Sequence, residues 1–340
     1  MQLATIIVQK ERHNKIFQPG AGPNGGEFFL PWRMLRERFA AVGYELNTPD
    51  LNVGKPVAFE FHLNAQRSLA QRPCYTYLYE DALVRPINAR AAVLAGYRKV
   101  FTWNHELHGK PNVIALDYPN DLTVREVPSF DERDLWCVMI ASNKALRYAD
   151  ARSLHGKRVE AIRYFEEHAP DKFALFGGGW GIPPVRPGAW GRILKRANEW
   201  RARLLPSRPF PSWQGRIGRK ADVLNRAKFS ICYENSRGSA GYITEKIMDC
   251  FTSGCVPVYI GSQRRPEALP SDCYIDGDQF ESPAQMLSCL MSIDSARFTL
   301  YQDAMRRFLV GRTSERFSNE NFCDVIVREI VADLRLTNQA

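Results

Sequence analysis

Residues 229–261 read FSICYENSRGSAGYITEKIMDCFTSGCVPVYIG, and this stretch decides the fold. Residues 255–260 are apolar without a break and 228–233 are mainly apolar, interrupted by Lys228 and Ser230, while 243–253 between them spaces its apolar residues by helical turns. A continuous apolar run cannot alternate between core and water, so it suits a strand covered on both faces, as in a parallel sheet. Strand, loop, helix, strand is one βαβ unit. Ligands of such sheets sit at the carboxyl ends of the strands, where a helix start offers free N–H groups and partial positive charge to phosphate. Glu245 in the first helical turn suits that field, whereas Lys246 beside it opposes it. A cation set against the local field either meets an anion or reaches solvent, and physics alone leaves both open.

The device recurs upstream. Residues 136–141 read as a strand, 142–156 as a polar loop and 157–168 as a helix with Val159, Ile162 and Phe165 inward. Arg158 therefore falls in a first turn as well. Arg158 and Lys246 would give two cations to one diphosphate, the guanidinium as a bidentate clamp and the ammonium as a mobile point charge. A plain surface arginine is the alternative.

Outward from there, 340 residues at roughly 100–200 per domain suggest two domains. The first half offers strands at 3–8, 56–61, 74–79, 99–103 and 112–116, and a helix at 31–41 with Leu35 and Phe39 inward. Residues 117–134 turn polar and proline-bearing, which places the boundary between domains 1–133 and 134–340. In the second, a strand at 173–176 is stopped by Gly177-Gly178-Gly179. The basic, proline-rich stretch 183–211 gives only a helix around 190–204, and the last fifty residues read as helices, including 323–336. Alternating strands and helices in two halves predict α/β architecture with two facing Rossmann-like domains.

Residues 229–261 closely resemble the signature of the α1,3/1,4-fucosyltransferases, glycosyltransferase family ten. That signature runs as an aromatic strand, F-E-N-S, a short loop, Y-I/V-T-E-K, a helix, and V/I-P-V/I-Y-x-G; Tyr233 stands here where the family usually has Phe. Ala141-Ser142-Asn143, Phe176-Gly177 and residues 270–276 (PSDCYID) fit the flanking family pattern. The resemblance covers about residues 136–327 and is weak before that.

It implies a GT-B fold with an interdomain cleft and the donor, GDP-β-L-fucose, bound mainly by the C-terminal domain and transferred with inversion. Carried over, Arg158 and Lys246 hold the diphosphate, Glu245 meets the ribose hydroxyls, and Asn235 and Tyr242 line the donor pocket. No metal is required to bridge the phosphates, which agrees with the lack of an Asp-x-Asp pair in the donor loop, and a divalent cation is left as a stimulant only. The general base is expected at the end of an N-domain strand, in a motif like G-E-N-x-x-P-N. Residues 79–88 (YEDALVRPIN) correspond, which makes Glu80 the base, with Asp81, Glu60 and Glu106 as substitutes. An inverting transfer needs such a carboxylate to take the acceptor's proton. The acceptor is expected to be a glycan or glycolipid of GlcNAc or LacNAc type.

Other features bound the function. The net charge of +9 favours anionic partners, but the basic residues are dispersed apart from clusters such as 216–220 (RIGRK), and a nucleic-acid motif is lacking. The eight cysteines form no CxxC pair and read as free thiols of a reducing compartment. His105 and His108 share a possible helical face without a third ligand, so no metal is assigned. Residues 20–26 (GAGPNGG) read as a mobile loop that could touch acceptor. Tyr75, Tyr77, Tyr79 and Trp103 serve either as core or as sugar-stacking rings. The longest apolar runs fall well short of the roughly 18 residues of a membrane span, and the start resembles no signal peptide. A cytoplasmic enzyme, peripheral at the inner face of a membrane and similar to the anchor-free bacterial members, is expected. A different GDP-sugar donor and a non-catalytic nucleotide- or glycan-binding protein are the competing readings.

Overall fold

The computed structural model describes the chain apart from residues 9–10, 21–28, 147, 206, 263–267 and 340. The elements begin with β1 (Gln2–Ile7), α1 (Leu30–Ala41), β2 (Tyr44–Asn47), β3 (Phe59–Leu63), β4 (Cys74–Tyr77), α2 (Ala91–Leu94), β5 (Lys99–Thr102) and β6 (Val113–Ala115). Next come β7 (Leu135–Ile140), α3 (His155–His168), β8 (Phe173–Phe176), α4 (Gly188–Leu204), α5 (Lys220–Leu224) and β9 (Ala227–Tyr233). The chain continues through α6 (Glu245–Thr252), β10 (Val256–Ile260), β11 (Ile275–Asp276), α7 (Pro283–Met291), α8 (Ser295–Val310) and α9 (Asn319–Gln339). Apart from Gly20, the glycine-rich loop read from the sequence lies largely outside the described residues.

These elements form two compact units. One holds Met1–Asp121, Ala240–Tyr242 and Glu315–Ala340; the other holds Leu122–Ser239 and Ile243–Ser314. Each is built on a parallel sheet, of order β2-β1-β3-β4-β5-β6 in the first and β11-β10-β9-β7-β8 in the second. Both share one winding: the chain starts on an inner strand, adds one neighbour on one side, then crosses over and continues outward on the other. The two parallel α/β units are those of the GT-B fold.

The units differ from the division at 133. They part at Asp121, and residues 315–340 return to the first unit. The reason is apolar: Phe322, Cys323, Ile326 and Ile330 of α9 join Trp32, Leu35 and Phe39 of α1 and Phe59, Tyr75 and Tyr77 of the sheet in one core. Phe322 meets Trp32 and Tyr77 edge-on, with ring centroids 5.5 and 4.9 Å apart. The Tyr75 hydroxyl donates to Asp333 at 2.6 Å, and Lys99 pairs with Glu329 at 2.7 Å. Tyr75, Tyr77 and Trp103 are thus core residues, and Tyr79 packs on Tyr118 at 4.4 Å.

In the second unit every residue of β10 is buried, and all but Lys228 of β9, as the apolar runs require. The buried Arg133 ties this unit together. Its guanidinium donates to the carbonyl oxygens of Pro128, Leu224, Ala227 and Ser253 at 2.7–3.0 Å, joining the segment before β7 to the start of β9 and the end of α6.

Candidate active site

In the second unit β7 has neighbours on both sides, β8 and β9, and the winding reverses between them. This is the topological switch point, and in open α/β sheets ligands bind outside the carboxyl ends of the strands there. Arg158, Lys220 and Lys246 share the wall of an open pocket with Ile140, Ala141 and Tyr233, at the ends of β7 and β9. The pocket itself, about 30 Å³, has the size of a water or one end of a ligand.

The organising group is Glu234, the first residue beyond β9, whose carboxylate is wholly buried. A buried carboxylate persists only when donors surround it. The Thr244 backbone N–H (3.0 Å) and hydroxyl (2.8 Å), the Lys246 ammonium (2.9 Å) and the Tyr259 hydroxyl (3.2 Å) all donate to it. Thr244 is also the N-cap of α6, its hydroxyl accepting from the Lys246 N–H. One carboxylate therefore fixes the helix start and its cation together. Gly261 permits the arrangement: a Cβ there would stand 2.4 Å from the Tyr259 hydroxyl and 2.8 Å from Cγ of Glu234.

Lys246 does meet an anion, as its place against the helix field implies, and in this structure that anion is Glu234. Burial works to lower the Lys246 pKa, but the Glu234 and Glu245 charges outweigh it and raise it. Glu245 bonds Lys220 at 3.1 Å, and Lys220 also bonds Asp249 at 2.7 Å. Burial pushes Glu245 up, yet Lys220 and Lys246 prevail and hold its carboxyl at about 2. Burial, with Glu245 alongside, raises Asp249 against the pull of Lys220. Three cations and three carboxylates thus stand at the switch point. The charges balance, and the ammonium groups are held in place rather than left mobile.

Arg158 lies in the first turn of α3, 5% exposed. One guanidinium nitrogen donates to the carbonyl oxygens of Tyr233 and Glu234, both at 2.6 Å, and to the Asn235 side chain at 3.2 Å. In this structure it pins the carboxyl end of β9. Asn143, in the segment 141–143, holds the loop after β8: its amide donates to the carbonyls of Gly179, Ile182 and Pro183 and its oxygen accepts from the Val185 N–H. Gly177, at φ 118°, admits Ala141, whose oxygen would lie 1.9 Å from a Cβ. Burial and Arg158 lower the pKa of His155, leaving a neutral imidazole.

Tyr242 belongs to the first unit, 3% exposed, with its ring 4.6 Å from that of Trp103.

Glu80 lies in the first unit, beyond the carboxyl end of β4 and partly exposed. Asn64, at φ 67° after β3, positions it, accepting from the Glu80 N–H and the Asn88 amide at 2.8 Å each. Asp81 is buried, its carboxylate accepting from the Leu83 N–H, which is a turn-forming role. Glu60 pairs with His62 at 3.1 Å, and Glu106 is exposed after β5. Glu60, His62 and Cys74 hold their ligand-type atoms within 4.8 Å of one another. His62 bonds Tyr97 and Glu60, while the Cys74 thiol donates to the Arg72 carbonyl. The rings of His105 and His108, at the start and just past the end of a short 3₁₀ turn, lie 5.0 Å apart and tilted by 40°.

Glu234, Lys220 and Asn64 carry the local geometry without having been singled out from the sequence. Glu234 was legible as a charge directly after a mainly apolar strand, and Lys220 as the end of the basic cluster 216–220. Asn64 left no signal.

The fold is that of a GT-B protein, with the charged cluster at the switch point of its second unit. Residues 210–332 match the model described as glycosyltransferase family 10 (fucosyltransferase) C-term. Alpha-(1,3)-fucosyltransferase 4 of Mus musculus is 35% identical over 126 residues, 36% of this chain and 27% of that protein. Alpha-(1,3)-fucosyltransferase FucT of Helicobacter pylori is 44% identical over 46 residues, 14% of this chain and 9% of that protein. The matched segments thus span about a quarter or less of these relatives' length. A crystal structure of an alpha1,3-fucosyltransferase with GDP-fucose has a TM-score of 0.52 at 13% identity, covering 96% of this chain and 89% of that one, a likeness of fold.

Proposed function

We propose that the protein transfers L-fucose from GDP-β-L-fucose, with inversion, to a hydroxyl of a glycan acceptor of GlcNAc or LacNAc type, in α1,3 or α1,4 linkage. The observation that carries this reading is Glu234 with its capping threonine and bound lysine at the switch point of a family 10 C-terminal domain. Lys246 and the first N–H groups of α6 would take the diphosphate, Lys246 exchanging part of its hold on Glu234 for phosphate oxygen. Arg158 would act on the same phosphates while keeping the end of β9 in register, with Asn235 beside it. Glu245, ionised down to about pH 2, would accept from ribose hydroxyls.

Glu80 would take the acceptor proton as the sugar carbon becomes oxocarbenium-like. Arg158, Lys246 and the start of α6 would together stand in for a bridging metal, and transfer should persist in excess EDTA. A different GDP-sugar donor would use the same phosphate and ribose contacts. Hydrolysis of a panel of nucleotide sugars, followed by mass spectrometry of products on a glycan array, tests both: turnover of GDP-mannose in preference to GDP-fucose would replace the donor, and no turnover of any would leave a binding protein. Lys246→Ala should weaken GDP binding about 10- to 150-fold by loss of one charge-assisted contact, and unchanged affinity by calorimetry would remove Lys246 from the site.

A further inference from the structure

Helix α4 is amphipathic, and it turns its apolar face outward. At 3.6 residues per turn, Trp190, Ile193, Leu194, Ala197, Trp200 and Leu204 fall within an arc of about 120°. Trp190 is 76% exposed, Ile193 56%, Leu194 46%, Trp200 65% and Leu204 60%. The opposite stripe contains the less exposed positions, with Gly191 buried and Lys195, Asn198 and Ala202 half-buried. Gly191 is obligatory there, since a Cβ would stand 1.8 Å from the Arg186 carbonyl oxygen. A helix that served only the core would be turned about half a revolution from this.

Soluble proteins rarely leave a contiguous apolar patch of this kind open, and those that do use it to bind. The charge on the same helix selects what it binds. Arg192, Lys195, Arg196, Arg201 and Arg203 oppose a single acid, Glu199. A second copy docking through this face in a two-fold contact would set like charges against like. An anionic bilayer satisfies both properties at once: the apolar stripe enters the headgroup–acyl boundary, the tryptophans settle at the interface, and the cations meet lipid phosphate. None of the helices of the described residues is long and apolar enough to cross a membrane. We propose that α4 is an in-plane surface helix that seats the second unit on an anionic lipid bilayer. This inference stands apart from the donor and acceptor reading.

The test is cosedimentation of the full chain with vesicles of phosphatidylcholine and phosphatidylglycerol at 1:1, against phosphatidylcholine alone. Binding to the anionic vesicles should exceed that to neutral ones at least tenfold and weaken as much in 0.5 M salt. Trp190→Ser with Trp200→Ser, and separately Arg196→Glu with Arg203→Glu, should each lose at least tenfold, while Trp200→Phe retains binding. All four positions are exposed, so far-UV circular dichroism and melting should match the wild type. Failure to bind anionic vesicles would overturn the proposal. So would a tryptophan double variant that binds as well as wild type, or a dimer in sedimentation velocity that the same substitutions abolish.

Discussion

Glu234→Gln is the substitution that interrogates the switch-point cluster most directly. It keeps the shape of the side chain and removes one charge from a wholly buried position. Lys246 then loses its 2.9 Å partner and retains Glu245 at 3.9 Å and the Thr244 hydroxyl at 3.0 Å. Breaking a buried pair from one side costs about 3–5 kcal/mol, and the partial exposure of Lys246 places this case at the lower end. The amide also turns two N–H groups toward neighbours that are themselves donors, which adds about 1–2 kcal/mol for a contact left unmade. A loss near 4 kcal/mol lowers the melting temperature by roughly 8–16 °C for a folding unit of this size. Scanning calorimetry reads that shift. A double-mutant cycle with Lys246→Met separates the pair from the cavity, with an expected coupling of about 1.5–3 kcal/mol. A Glu234→Gln protein melting within about 2 °C of wild type, well short of that shift, would refute the assignment of Glu234 as the group that holds the site. So would a cycle that is simply additive.

The acid limb of stability should report Glu245. Its carboxyl titrates at about 2 in the folded chain against an ordinary 4.5, so its stabilisation is complete above pH 4.5 and is lost as pH falls toward 2. Glu245→Gln should melt below wild type at neutral pH and converge with it near pH 2; a constant gap across that window would contradict the Lys220–Glu245 pairing. Arg133→Met should destabilise by about 3 kcal/mol or more, because it strands the buried carbonyls of Leu224, Ala227 and Ser253, and Arg133→Lys should not rescue it; a melting curve unchanged in either variant counts against this role. If Glu80 is the base, Glu80→Gln slows transfer by about 10²- to 10⁴-fold with GDP affinity unchanged and the acid limb of the rate profile abolished, whereas near-normal transfer places the base elsewhere.

How far these features are legible in the sequence depends on the range of the interaction. The apolar runs at 228–233 and 255–260 become buried parallel strands because nothing but coverage on both faces can accommodate them. β2, whose residues Tyr44–Asn47 are half polar, sits at the sheet edge and gives no such pattern. Periodicity marks α4 as amphipathic, but it cannot say which stripe meets the protein. The conflict of Lys246 with the helix field correctly indicates an anion nearby. That the resident anion is a side chain twelve residues earlier depends on how β9 ends beside α6, and local patterning is silent about it. The same holds for Tyr242, whose ring packs on that of a tryptophan far off in the chain.

The return of α9 to the first unit has a consequence for synthesis. Strands β1 to β6 leave the ribosome early, yet the surface of Trp32 and Tyr77 that Phe322 covers stays open until residues 319–334 emerge. At about 5–20 residues per second the wait over some 200 residues is roughly 10–40 s. The segments of the second unit, ending at Ser314, are all available before then. The usual N-to-C order of domain completion is therefore reversed. The nascent chain carries an unfinished aromatic sheet for most of its translation, which makes the first unit the natural client of ribosome-associated chaperones.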